Sequence, residues 1–261
     1  MIEIIILKLK YNIQGAGEAV ILIHGLFGSK NNLARLGGIL SKKYMVISPD
    51  LRNHGESPRS KGMNYGLMAT DIIDLMDDLG LSQASLVGHS MGGKIAMQAA
   101  LNYAYKFKKI VVGDILPINY DPNLHRNTID GLNAIISGRP SSRKQAHEIL
   151  LPYVNDLASR EFLLKNLVLK KNGEYGIKIY MESINANYSN ELTKAPYGKP
   201  FTGPTLFIKG GNSQYIKSKY LNETSRLFPK CQHEIIDDAG HWLHIEKSAE
   251  FNKIILDFLR V

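Results

Sequence analysis

The stretch GHSMG at positions 88–92 places a serine among glycines, with the strand-forming run ASLV before it and a small-residue helical stretch after it. A serine hydroxyl is a weak nucleophile until a neighbouring base takes its proton. The order strand, G-x-S-x-G, helix is the context in which such a serine stands on a sharp, strained turn with its hydroxyl presented. Gly88, Gly92 and Gly93 supply the room that turn needs around Ser90. A helix starting at Met91 would aim its positive end at the site and favour developing negative charge there. The chemistry expected is acyl transfer through Ser90.

The base should lie downstream. His241, in DAGHWLHIE, falls just past a strand-like run and before the last helical stretch. His89 adjoins Ser90 on the turn and points elsewhere, His24 and His54 sit in upstream loops, and His244 suits backbone bonding or packing on the last helix. HGLFG (24–28) follows the apolar run AVILI and resembles a loop that donates one backbone N–H to an oxyanion. Leu26 is the assigned donor, with Phe27 the alternative, and Met91, the residue after the serine, supplies the second amide.

The elements that would hold these residues alternate. AVILIHG (19–25), KYMVISPD (43–50), ASLVGHS (84–90) and KKIVVGDI (108–115) are short apolar runs that read as buried strands. Between them, residues 65–81 put Leu67, Ile72, Leu75, Met76 and Leu79 on one helical face and close at Gly80, and 91–107 is a helix of small residues. MIEIIILKLKY at the start reads as a first strand; its lysines follow the apolar run, where a secretory signal has them before it. From about 117 to 200 the rhythm stops. Helical stretches (HRNTIDGLNAII, RKQAHEILLPYV, SREFLLKNLVL) and a turn at KNGEYG fill that interval, and PTLFIKG, SKYLNETSRLF, HEIIDDAG and SAEFNKIILDFLRV then restore it. The expectation is an α/β fold with a mostly parallel central sheet covered by helices on both faces. Its core would comprise 1–116 and 201–261, with 117–200 a helical cap insertion whose Leu132, Ile135, Ile136, Leu163 and Leu164 either line an acyl channel or pack within the insertion.

Composition narrows the partners. The chain has 261 residues, 44% hydrophobic and 21% charged, which suits a globular fold with a sizeable core. Its single cysteine, Cys231, excludes an internal disulfide, reads as a small buried residue and fits a reducing, cytoplasmic setting. No run approaches the roughly 18 apolar residues of a membrane span. The net charge of +8 is scattered and carries no nucleic-acid motif, so a solvated basic surface with mild attraction for phosphate-bearing acyl donors is expected. Neither histidine spacing nor a glycine-rich nucleotide loop implies a metal or a cofactor.

HGLFGS, DLRNHGESP, GHSMGGK and GHWLH, in this order, resemble the α/β-hydrolase superfamily over essentially the whole chain. That resemblance implies the fold, and a serine at the elbow argues against the dehalogenases and epoxide hydrolases of the superfamily, which use aspartate there. It also implies an acid after PTLFIKG, where this chain has Ser213. A serine cannot carry the charge that stabilises an imidazolium. Asp237 and Asp238 precede His241 too closely to orient its ring well. Asp114 closes KKIVVGDI, and side chains at the carboxyl ends of parallel strands share one crevice; its alternative role is to cap the first turn of the insertion. GDILP (113–117) with GGNS (210–213) is similar to the YbfF-like branch of small esterases, in which the acid follows the sixth strand. The match implies Asp114 as triad acid and Ser213 as a hydrogen-bonding fourth member. Arg52, His54 and Ser57 in DLRNHGES are expected to be scaffolding near the rim, with Asp50 anchoring the loop that Gly55 and Pro58 shape.

The expected function is a serine hydrolase of carboxylic esters, extending to thioesters such as acyl-CoA, acting on a small-molecule acyl substrate. The same residues would serve a carbon–carbon hydrolase or lyase, and a ligand-binding receptor with a vestigial triad is an alternative of another class.

Overall fold

The structure, a computed structural model, describes residues 7–260. Seven strands form one sheet in the order β1-β3-β2-β4-β5-β8-β9. They are β1 (Tyr11–Gln14), β2 (Ala19–Ile23), β3 (Met45–Pro49), β4 (Ala84–His89), β5 (Phe107–Gly113), β8 (Thr205–Gly210) and β9 (Cys231–Ile236). Every neighbouring pair is parallel except β1 with β3. The initial run is only partly visible: residues 1–6 lie outside the described residues, 7–10 are not strand, and pairing starts at Tyr11 in the antiparallel sense.

The central strands read as unbroken apolar runs because both faces are covered. Alternate residues point to opposite sides, so Ile21 and Ile23 join one core cluster and Val20 and Leu22 the other. Helices α2 (Tyr65–Asp78) and α3 (Met91–Asn102) cover the first face, while α1 (Ala34–Leu40) and α10 (Ser248–Arg260) cover the second. Ile72, Leu75 and Met76 are buried on the inner side of α2 as their spacing predicts and Met68 joins them, but Leu79 is half-buried and Leu67 is exposed. Asn64 caps this helix by accepting the Leu67 N–H at 2.8 Å, and the turn past its end is taken by Gly80 at φ +67°. Helix α3 stops at Asn102, five residues before its predicted end.

Between β5 and β8 lie α4 (Arg126–Gly138), α5 (Arg143–Leu150), α6 (Leu157–Leu164), an antiparallel pair β6 (Leu167–Leu169) and β7 (Tyr175–Ile177), and α7 (Met181–Asn187). Residues 167–169, expected to prolong a helix, pair instead across the KNGEYG turn. Leu132, Ile135 and Leu164 are buried inside this segment and Ile136 is exposed. After β8 come α8 (Leu221–Leu227), then α9 (Leu243–Glu246) beyond β9. Cys231 opens edge strand β9 and is half-buried, not buried as expected.

Lys94, on the buried side of α3, ties both ends of the insertion to the core. Its Nζ donates to the carbonyls of Ile118 (2.8 Å), Thr193 (3.3 Å) and Lys194 (2.6 Å), so all three ammonium protons are used. Burial pulls its pKa down to about 7. Among the described residues no helix is long and apolar enough to cross a membrane.

Candidate active site

Strand register sets the positions of the reactive groups. His89 pairs with Gly113, so the next residues, Ser90 and Asp114, leave adjacent strand tips side by side. The Ser90 N–H donates to Gly113 O (2.8 Å) and the Asp114 N–H to Ile208 O (2.8 Å), which fixes both tips against their neighbours. Ser90 has φ +54° and Asp114 φ +50°, left-handed backbone that a side chain disfavours and that surrounding structure must enforce. At the elbow, a Cβ on Gly92 would collide with the carbonyl of Ile23 and one on Gly88 with that of Gly92.

His241 lies between the two. Its Nδ1–H donates to Asp114 Oδ2 at 2.7 Å, and its Nε2 is 3.0 Å from Ser90 Oγ, placed to accept the hydroxyl proton. Asp114 is fully buried; its other oxygen, Oδ1, accepts the Gly210 N–H at 3.1 Å. Ser213 donates its hydroxyl to Asp114 Oδ2 and accepts the Tyr215 N–H at 3.3 Å. Ser213 therefore meets the carboxylate rather than the imidazole. Asp237 and Asp238 are exposed.

Leu26 and Met91 both border the hollow above Ser90, and neither backbone N–H has a partner among the described residues. The N–H of Phe27, the alternative donor, is donated to His54 Nε2 at 3.2 Å. His54 is held as this acceptor by donating its Nδ1–H to Arg52 O (2.9 Å), and burial, its largest perturbation, lowers its pKa to about 3. His24 is fixed similarly, accepting the Leu51 N–H at 3.1 Å, with its pKa pushed by burial to about 4. The rim loop thus braces the 24–28 loop. Asp50 accepts the N–H groups of Lys30 (2.7 Å) and Glu56 (2.9 Å), and Arg52 forms a bidentate pair with Asp71 (2.6 and 2.7 Å).

Several contacts were not foreseen. Tyr215 stacks on the His241 ring at 3.8 Å between centroids and 14° between planes. Its hydroxyl lies 3.2 Å from Nε2 of His125, whose Nδ1 is 2.6 Å from the Tyr188 hydroxyl. His89, set aside as base in the sequence reading, donates Nε2–H to His241 O at 2.8 Å and so steadies the loop that carries the imidazole. His244 packs against His89, with centroids 4.4 Å apart. Nothing short of the fold could reveal these pairs, because their members lie up to 152 residues apart. A cleft of about 210 Å³ opens on Ser90 and His241, walled by Phe27, Phe162 and Trp242; of the five insertion residues considered for an acyl channel, Leu163 alone lines it. Among the described residues no cluster of His, Cys, Asp and Glu could hold a metal ion.

A sequence profile described as "alpha/beta hydrolase fold" matches residues 18–248. The chain is 35% identical to "Esterase YbfF" of Escherichia coli (strain K12), over 94% of this chain and 94% of that protein. It is also 35% identical to "sn-1-specific diacylglycerol lipase ABHD11" of Mus musculus, over 97% of this chain and 85% of the relative. The solved structure "Marine microorganism esterase" superposes with a TM-score of 0.93 at 36% identity, covering 97% of this chain and 99% of that one.

Proposed function

The chain belongs to the alpha/beta hydrolase fold family, and on that ground we propose that it is a serine hydrolase of carboxylic esters. The observation that carries the proposal is the unbroken line Ser90 Oγ to His241 Nε2, 3.0 Å, and His241 Nδ1 to Asp114 Oδ2, 2.7 Å. Relatives named esterase and lipase, at about one-third identity over nearly the whole chain, support it.

In this mechanism Ser90 Oγ attacks the acyl carbon as its proton passes to His241 Nε2. Asp114 holds the tautomer with the proton on Nδ1 and stabilises the imidazolium that forms. The Leu26 and Met91 amides receive the oxyanion; each such donor is worth about 2.7–4 kcal/mol in the transition state. His241 then hands the proton to the departing oxygen, the C–O bond breaks, and a water activated by the same nitrogen releases the acid from Ser90. Ser213 is a positioning residue, spending its proton on the Asp114 oxygen that faces His241. The segment 117–200 acts as a cap over the site, bringing His125, Phe162, Leu163 and Tyr188 to it.

Thioesters such as acyl-CoA follow the same route, and the charge of +8 would favour phosphate-bearing donors. If so, kcat/KM for an acyl-CoA should fall with salt more steeply than for the matching simple ester. The lone, unpaired Cys231 accords with a cytoplasmic setting. Ser90→Ala should abolish hydrolysis of a short chromogenic ester while the protein keeps its fold by circular dichroism. Retained turnover would reject Ser90 as nucleophile.

A further inference from the structure

Two unequal hollows meet at Ser90. The cleft of about 210 Å³ contains His241, His89 and Trp242; the other hollow, about 30 Å³, contains Met91 and Ile115 and lacks His241. Leu26, Ser90, His125 and Tyr215 line both. The hydrogen-bonded His125–Tyr215 pair therefore forms the wall between them.

The tetrahedral intermediate decides which part of a substrate enters which hollow. Its carbon carries four groups: Ser90 Oγ, the oxyanion facing the Leu26 and Met91 amides, the leaving oxygen and the acyl tail. The leaving oxygen must receive its proton from His241 Nε2, so the leaving group extends on the His241 side. The acyl tail takes the remaining direction, into the small hollow. Room of about 30 Å³ is that of one or two water molecules, enough for a methyl or ethyl tail.

The small hollow is also electrostatically closed. The Tyr65 hydroxyl donates to Leu192 O, the Tyr120 hydroxyl to Tyr215 O, and the Tyr188 hydroxyl is engaged with His125. Lys94 reaches its edge with all three protons already given to carbonyls. Beyond the Leu26 and Met91 amides and the one hydroxyl hydrogen left over in the Tyr188–His125–Tyr215 chain, no donor and no unspent cation faces it, so a dicarboxylic half-ester finds no charged partner there and loses its hydration.

We infer that, if the chain hydrolyses esters as proposed above, its substrates join a short uncharged acyl group, acetyl or propionyl, to a larger leaving group that is apolar next to the scissile bond. Leu192 and Tyr188 set the acyl limit, and Phe162 and Trp242 receive the leaving group.

The test is a two-way ester series with purified full-length protein. Acetate, butyrate, hexanoate and succinate esters of one phenol vary the acyl side, and acetates of ethanol, butanol, octanol and benzyl alcohol vary the other. From acetate to hexanoate kcat/KM should drop roughly tenfold or more, the scale at which a pocket discriminates by added methylenes. The succinate ester should be as poor as the hexanoate, and the acetates should improve from ethyl to octyl. Leu192→Ala should raise the hexanoate-to-acetate ratio roughly tenfold, while Phe162→Ala should alter the alcohol ranking and leave that ratio in place. Rates that rise with acyl length, or a preferred succinate, would overturn the assignment while leaving ester hydrolysis intact. Absence of turnover across both series would overturn ester hydrolysis and this inference together. Should a variant fail to fold, the wild-type series decides alone.

Discussion

Asp114 concentrates the unusual part of the site. One carboxylate accepts three protons' worth of hydrogen bonds, from His241, Ser213 and the Gly210 amide, while itself fully buried. Such a network holds the acceptor where a charged imidazole can use it. Asp114→Asn replaces the acceptor with a group that favours the wrong imidazole tautomer, and kcat should fall by roughly 10³–10⁴. Ser213→Ala leaves the carboxylate with two donors and should cost less, roughly ten- to a hundredfold, one hydrogen bond to a charged group being worth about 1.5–3 kcal/mol. Steady-state kinetics of the two variants on one ester checks the ranking; the reverse order would exclude Asp114 as the acid. Ser90 and His241 stand out in the sequence because the glycines and the strand and helix around them are local. Asp114 came from asking which strand tip adjoins the elbow and from the resemblance of GDILP and GGNS to the YbfF-like esterases. Tyr215 against His241, and His54 against Phe27, carry no local pattern at all, since each joins residues from separate loops.

At the scale of elements, close backbone approach at the elbow is what lets strand β4 turn into helix α3 under the loop that follows β2. Gly92→Ala would drive a methyl into the carbonyls of Ile23 and His24, moving β2 and with it Leu26. The expected result is a loss of about 1–3 kcal/mol of stability, the range for overpacking, together with a marked fall in kcat. Asn64→Ala, which removes the α2 cap, should cost about 1 kcal/mol and leave kcat unchanged. Urea unfolding and kinetics on both variants separate the two effects. Apolar runs and glycine punctuation made the strands of the sheet legible. Helix α1 escaped because its seven residues include two glycines, and β6 because LVL continues the apolar spacing of the helix before it. Such short stretches take their conformation from the surfaces they pack on.

Across the whole molecule, burial keeps five histidines neutral. It lowers His24 and His125 to about 4, His54 and His244 to about 3, and His89 well below its ordinary value. In the unfolded chain all five would titrate near 6.5. Above that pH both states are neutral and stability is complete. As pH falls below it the unfolded chain binds protons that the folded one refuses, so stability declines until the folded values near 3–4 are reached. Each histidine contributes up to about 1.4 kcal/mol per pH unit across that window. The urea midpoint should therefore fall steeply between pH 7 and pH 5, and a flat profile would contradict neutral burial. Because the β5 tip supplies the carboxylate, the loop after β8 needs no charge of its own and can instead lay Tyr215 flat on the imidazole. Gripped at its edge by Asp114 and across its face by a phenol ring, His241 has no freedom to turn over between half-reactions. Under the proposed mechanism one nitrogen must then serve both the departing alcohol and the arriving water, and the two must occupy the same spot in succession.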